Sequence, residues 1–468
     1  MGYGGYMTLV NGSPFDWTVT GSHSYQMSTW NWPTISAGKS SKVYVEYGTK
    51  GSTRDDAGET YYKLAGTSST FQVQAKKPSD YHLYVTLDGM STKTNPQGSV
   101  IDESFRHNAA VNWIMSTDES GAIWSNSAPP IDWMQQSLGS LGNRTLRHIC
   151  MPGSHDAGMS SYSPGTVGAN FANTQAQYLD MYNQLLYGSR FFDLRPVISD
   201  GNFVSGHYSE VEGIWVGGNG QSLADIISAV NKFTAQYHEL VIINLSHTLN
   251  TDSADSQYTD LSQAEWNKLW DQLKELNNLV LDSNPGSTDY TTKVLYDFIG
   301  NSPSVFVINQ LPNGISLGNY ATQGFYSATN FPMFDSYSNS NSAATMEADQ
   351  LQKLSANRNI VADSGANKDT FHLLSWTLTQ QAEDVLNFDK AIMNLAASVY
   401  DDLFDKAYNA FTLESFPNVL YLDAYGIRDK SVVLPYDKPA KVSAYPDVYA
   451  LAMAVNNGIA GRNPQIRQ

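Results

Sequence analysis

Six residues at or just beyond strand-like runs stand out by type. His155 and Asp156 follow the apolar run 146–151, Asp193 and Arg195 close the run 190–195, His207 comes after the stretch 201–206, and Asp423 follows 419–422. Two imidazoles, one guanidinium and three carboxylates suit cleavage of a phosphodiester. One imidazole takes a proton, the other gives one, and the guanidinium neutralises the phosphate. A histidine after a strand is more often a plain loop residue, and His148, His238, His247 and His372 are read that way. Arg190, with acidic neighbours in the chain, is read as half of a structural ion pair.

The elements that must position these groups come from the pattern of apolar residues. After about residue 130, strand-like runs at 146–151, 190–195, 240–246, 305–308, 372–376 and 419–422 alternate with helical stretches at 175–186, 222–237, 263–276 and 388–402. Such alternation predicts a parallel sheet covered by helices, and the length favours a closed TIM (β/α) barrel over an open sheet. In such barrels the residues at the C-terminal ends of the strands converge on one site, which is what selects the six. Before residue 100 the chain instead shows short β-type runs at 6–10, 41–47, 70–74 and 81–87, separated by turn residues. The expected fold is α/β: a barrel over 130–468, preceded by a small all-β sandwich over 1–100 and a connecting segment over 101–129. A chain beginning near Ala128 is accordingly expected to keep the whole site. The aromatics Trp17, Trp30, Trp32, Tyr61 and Tyr62 are read as sandwich core rather than as a membrane-facing belt.

The string Met-Pro-Gly-Ser-His-Asp-Ala-Gly at 151–158 resembles the opening signature of the phosphatidylinositol-specific phospholipase C X-domain family. Gly-Ser-Arg-Phe-Phe-Asp-Leu-Arg at 188–195 is similar to its second signature, and Ser-Gly-His at 205–207 falls where that family has its second catalytic histidine. The resemblance covers roughly 130–430. It implies that His155 is the general base on an inositol 2-hydroxyl and His207 the general acid at the leaving glycerol oxygen. Asp156 would orient His207, Asp423 would support His155, Arg195 would bind the phosphate and Asp193 would assist at the leaving group. Arg195 stands in Asp-Leu-Arg-Pro, as in the bacterial calcium-independent branch, so no metal or other cofactor is expected. Asn309, Trp376 and Glu212 are candidates for holding the headgroup because they follow strands or the second histidine. Residues 48–75 resemble part of the aegerolysin β-sandwich, a lipid-binding family.

Composition limits the alternatives. The 468 residues are 41% hydrophobic and 16% charged, which is the profile of a folded globular chain. A formal net charge of −17 disfavours a protein that tracks nucleic-acid phosphates. The single Cys150 excludes an intrachain disulfide and a cysteine-based zinc cluster. No run of about 18 apolar residues suggests a transmembrane helix. The chain shows no signal peptide, so a cytoplasmic protein is expected, with a mature secreted form as the alternative and peripheral contact with a membrane in either case. The expected partner is a phospholipid at a membrane surface. The leading activity is cleavage of phosphatidylinositol or a related phospholipid to diacylglycerol and a cyclic or open inositol phosphate. A sphingomyelinase-like or phospholipase D-like phosphodiesterase and a non-catalytic lipid- or glycan-binding protein are the other readings of the same barrel.

Overall fold

Alternation of apolar and polar residues over the first hundred positions builds the strands of the first unit. In this computed structural model the described residues are 3–48, 57–211, 213–253, 258–384, 387–428, 433–434, 438–439 and 442–466. The chain divides into two units, one of Met1–Pro130, Asp401–Phe416 and Pro446–Gln468, the other of Ile131–Tyr400 and Pro417–Tyr445.

The first unit holds strands β1 (Tyr3–Gly12), β2 (Trp17–Ser24), β3 (Met27–Trp30), β4 (Ser40–Tyr47), β5 (Gly58–Leu64), β6 (Thr70–Lys76), β7 (His82–Thr86), β8 (Val100–Asp102), β9 (Ala110–Thr117) and β10 (Ile123–Ser125). They form two sheets, ordered β10-β9-β1-β4-β3 and β2-β5-β6-β7-β8. Both sheets send side chains into one core, where Met7, Val45, Trp17, Tyr62, Phe71 and Trp113 are buried together. Trp17, Trp30 and Tyr62 are therefore core residues, as the sequence suggests, while Trp32 and Tyr61 are half-buried.

The expected connecting segment is not a connection. Residues 101–129 contain β9, whose eight residues are all buried, and β9 pairs in parallel with β1. The reason lies at the other end of the chain. Val111, Trp113 and Met115 face the sandwich core, and the alternate residues are covered by the helix Asp447–Gly458, itself buried throughout. Asn112 Nδ2 donates to Asp447 Oδ2 at 2.8 Å, and Asn457 Nδ2 donates to Ser116 Oγ at 3.0 Å. A Cβ on Gly12 would lie 2.7 Å from Ala454 Cα, so glycine permits the helix to approach β1 this closely. The boundary placed at residue 130 thus holds on one side only: 401–416 and 446–468 leave the barrel and complete the sandwich unit.

The second unit is built on β11 (Met151–Ser154), β13 (Phe191–Leu194), β17 (Leu240–Leu245), β19 (Ser304–Asn309), β20 (Phe325–Ser327), β21 (Met333–Phe334), β22 (Phe371–Ser375) and β23 (Val419–Leu422). They make one eight-stranded sheet, ordered β20-β19-β17-β13-β11-β23-β22-β21, in which each neighbouring pair is parallel. The sheet is curled but the barrel is open, because among the described residues no ladder joins β20 to β21. Only residues 328–332 separate these two strands, and a parallel pair needs a crossover of about a dozen residues. The first strand also begins later than expected, since Leu146–His148 form a 3-10 turn and the ladder runs over Met151–Ser154.

Helices cover the sheet by the usual periodicity. Leu223–Thr234 begins on Ser222, whose side chain accepts from Asp225 N, and buries Leu223, Ile226, Ile227, Val230 and Phe233. Gln263–Leu273 starts with a Ser262–Glu265 capping box and buries Trp266, Leu269, Trp270 and Leu273. Arg190 is fully buried with its Nε 2.8 Å from Glu239 Oε2, the ion pair expected of it. A further sheet, ordered β12-β16-β15-β14-β18, comprises β12 (Ser163–Pro164), β14 (Pro196–Ser199), β15 (Asn202–Val211), β16 (Ile214–Ser222) and β18 (Leu249–Asn250). Among the described residues no helix is long and apolar enough to cross a membrane.

Candidate active site

Parallel register brings three of the candidate residues to one level. Ser154 of β11 pairs with Leu422 of β23 and with Phe192 of β13, so the next residues along, His155, Asp423 and Asp193, emerge side by side at the C-terminal ends of adjacent strands. His155 N donates to Leu422 O at 2.9 Å, and His155 Nδ1 lies 2.6 Å from Asp423 Oδ1. Gln177 Nε2 donates to the carbonyl oxygens of His155 and Leu422 at 2.6 and 3.0 Å, which ties the two strand ends together.

Asp156 turns the chain away from β11 in the left-handed region, at φ 45°. That turn points its buried carboxylate toward β15, where Oδ2 receives His207 Nδ1 at 2.6 Å. Each imidazole is therefore fixed through Nδ1 by its own carboxylate. Arg195, one residue past β13, lies between the pairs. Its Nε donates to Asp193 Oδ2 at 2.9 Å, its Nη1 is 3.8 Å from Asp156 Oδ2, and its Nη2 is 2.6 Å from His155 Nε2. Ser246 Oγ donates to Asp193 Oδ1, and His247 Nδ1 is 2.9 Å from the same hydroxyl.

The charges follow from these contacts. Arg195 has no acceptor capacity, so His155 Nε2 must accept from it, and His155 is the tautomer that donates from Nδ1 to Asp423. Burial and Arg195 disfavour the charged His155 ring, but the Asp423 carboxylate together with Asp193 prevails and moves the pKa upward from its ordinary value. Burial also works against Asp193 and Arg195. Their mutual attraction prevails, holding the Asp193 carboxyl below the usual carboxylate range and the guanidinium firmly charged. The same guanidinium, aided by burial, pushes His247 down to about 4, so that ring is neutral near pH 7. Asp335 is moved upward, first by burial and then by the Asp193 charge.

These groups open onto a cavity of about 300 Å³, lined by His155, Asp193, Arg195, His207, Asp423 and others. Asp156, beneath His207, completes the six residues selected from sequence, and the structure brings all six together. It does not bring Asn309 or Trp376 to the cavity. Asn309 is buried between Trp270 Nε1, which donates to its Oδ1 at 2.9 Å, and Tyr326 O, which accepts from its Nδ2 at 2.9 Å. Trp376 is equally buried, with Nε1 donating to Val399 O at 2.9 Å. Asn309 ends β19 and Trp376 follows β22, but both side chains serve the packing. Glu212 lies outside the described residues.

The sequence reading missed Ser246, His247, Asp335 and Tyr421, all of which line the cavity. His247 follows the end of β17 as His155 follows β11, so the same positional filter could have selected it. Asp335 follows β21, a strand of two residues that leaves no apolar run to notice. Tyr421 lies within β23 and presents its ring edge-on to His155, with centroids 5.2 Å apart. Among the described residues no group of three or more His, Cys, Asp or Glu is arranged to hold a metal ion.

No protein-family model matches the chain, and no curated protein does. Among solved structures, the chain is similar to phosphatidylinositol-specific phospholipase C from Staphylococcus aureus. One such structure carries incorporated pentafluoro-phenylalanine, at 15% identity. A second comes from work on modulation of that enzyme's membrane binding, at 14%, and a third is a variant of it, at 15%. Each likeness covers 71% of this chain and 99% of the other, with a TM-score of 0.42.

Proposed function

We propose that this protein is a metal-independent phosphodiesterase of the phospholipase C type, cleaving phosphatidylinositol or a related phospholipid to diacylglycerol and a cyclic inositol phosphate. The observation that carries this reading is the pair of imidazoles, each held through Nδ1 by a separate carboxylate, lining one cavity with a guanidinium between them. His155 serves as the base. Its Nε2 lone pair accepts from Arg195 Nη2, and a phosphate oxygen competes for that N–H. Binding of the phosphate thereby releases the lone pair to take the proton of the neighbouring 2-hydroxyl. His207, whose Nε2 has no partner among the described residues, serves as the acid that protonates the departing glycerol oxygen. Arg195 carries the charge that builds on the phosphate, and Asp193 fixes Arg195 by its Nε. A cavity of this size takes a cyclitol phosphate.

Attack by the substrate's own hydroxyl makes the reaction intramolecular, an advantage of up to about 7–11 kcal/mol. Phosphorus NMR of an early time course on phosphatidylinositol should show a five-membered cyclic phosphate before any open phosphate. The rate should survive EDTA, and Arg195→Lys should lower it by about tenfold to a thousandfold, since the forked contact is lost while the charge remains. An open inositol phosphate formed first would make water the nucleophile. Loss of activity on chelation with recovery on adding magnesium or calcium would overturn the metal-free reading.

A further inference from the structure

One face of the β15–β16 hairpin runs outward from the cavity. Alternation places His207, Ser209 and Val211 on a single face of β15, and the register pairs them with Gly218, Val216 and Ile214. His207, Ser209, Val211 and Val216 all line the cavity, whereas Ile214 is 67% exposed. From His207 to Val211 the strand spans about 13 Å. The other face reaches the cavity only through Tyr208 and then differs in character: Glu210 pairs with Trp215, whose ring lies 5.4 Å from Tyr258. Beside β16, Thr166 N donates to Gly217 O at 3.0 Å and Gly217 N donates to Thr166 Oγ1 at 2.9 Å, which secures the adjoining Val167, 99% exposed.

We propose that this ladder is the track for the acyl-bearing part of a phospholipid, leading from His207 to a lipid surface met by Ile214 and Val167. The inference rests on the role of His207 as the acid at the leaving alcohol. If His207 protonates that oxygen, the remaining atoms of the alcohol begin at the His207–Gly218 pair. The wall that continues from there turns from polar to aliphatic: Ser209 and Val216, then Val211 and Ile214. An alcohol esterified to acyl chains has the same gradient, a polar glycerol end followed by hydrocarbon. The six residues of the strip include no lysine or arginine to hold an anionic group. Glu210 on the hairpin and a net charge of −17 disfavour coulombic attraction to an anionic membrane, which leaves apolar contact to supply the affinity. A surface of zwitterionic phosphatidylcholine is the matching partner.

The test uses the full chain and two readouts. In the first, sedimentation with phosphatidylcholine vesicles compares the wild type with Ile214→Asp and Ile214→Trp. Partition should fall by about tenfold or more in the aspartate variant and rise in the tryptophan variant. In the second, kcat/KM for monomeric dihexanoyl phosphatidylinositol is divided by that for an inositol phosphodiester with an aryl leaving group. Val211→Asp should lower this ratio by about tenfold, and Val211→Ser in the same direction should the aspartate variant fail to fold. Partition unmoved by either substitution at Ile214, or absent in the wild type, would overturn the track. A wild type that partitions as expected but cleaves no phosphodiester would instead overturn the enzymatic reading and leave the lipid contact standing.

Discussion

His155 is held between two opposite charges, and its titration reports which of them dominates. Asp423 raises the pKa against the effects of burial and Arg195. As the proposed base, His155 works only when neutral, so the acid limb of the kcat/KM profile should follow this group, and activity should fall as the pH drops through a value above the ordinary 6.5. Replacing Asp423 with Asn removes the larger raising charge and leaves burial and Arg195 opposed only by the weaker pull of Asp193. The acid limb should then move to lower pH, with a loss in rate of about tenfold to a thousandfold as the ring also loses its orienting acceptor. An acid limb that stays in place would assign it to another group. The two histidines separate by a leaving-group test: each alanine variant should lose about a hundredfold to ten-thousandfold, but an aryl leaving group should restore His207→Ala more than His155→Ala. Equal restoration would mean that His207 is not the acid.

At the scale of elements, the position of His207 depends on how closely β15 and β16 approach. A Cβ on Gly217 would lie 2.3 Å from His207 O and 2.6 Å from Tyr208 Cα, both backbone atoms that cannot swing aside. Gly217→Ala should therefore push the two strands apart, at a cost of about 1–3 kcal/mol seen in thermal unfolding. Because a shift of about 1 Å at a catalytic group can cost a hundredfold, kcat/KM should fall by about tenfold or more even where the protein remains folded. Full activity with an alanine here would mean that the ladder absorbs the clash elsewhere. The candidate cluster was legible in sequence because parallel strands in register deliver residues at one level to one edge, so finding the strands also found His155, Asp193 and Asp423. The same rule failed where the element left no pattern, as with Asp335 after a two-residue strand. It over-selected where a side chain at or just past a strand end turned inward to satisfy buried partners, as with Asn309 and Trp376. Closure of the barrel was misjudged because a count of strand signals carries no information on the five-residue link between β20 and β21.

For the whole molecule, the helix Asp447–Gly458 decides what can be cut away. Its apolar residues suit any sheet, and nothing local in the sequence says that it covers β1 and β9 rather than the parallel sheet, which is why the boundary near residue 130 looked clean. Val448, Leu451, Met453 and Val455 are all buried, each contributing about 1.5–3 kcal/mol by its removal from water. A chain starting at Ala128 would leave that helix without β1 and β9. Such a chain should appear in the insoluble fraction or bind a hydrophobic dye strongly, where the sequence alone led us to expect an active, independent barrel. A soluble, monomeric and active product would show that the helix finds another cover.

The same discontinuity has a consequence for synthesis on the ribosome. By the time residue 130 has been made, β1 and β9 are available to pair, but their covering helix is still about 300 residues away in the message. At roughly 5–20 residues per second, that is a wait on the order of 15–60 s with one face of the sheet uncovered. The nascent sandwich should thus expose an apolar sheet face, the kind of surface that holding chaperones cover, for nearly the whole time the parallel sheet takes to be translated.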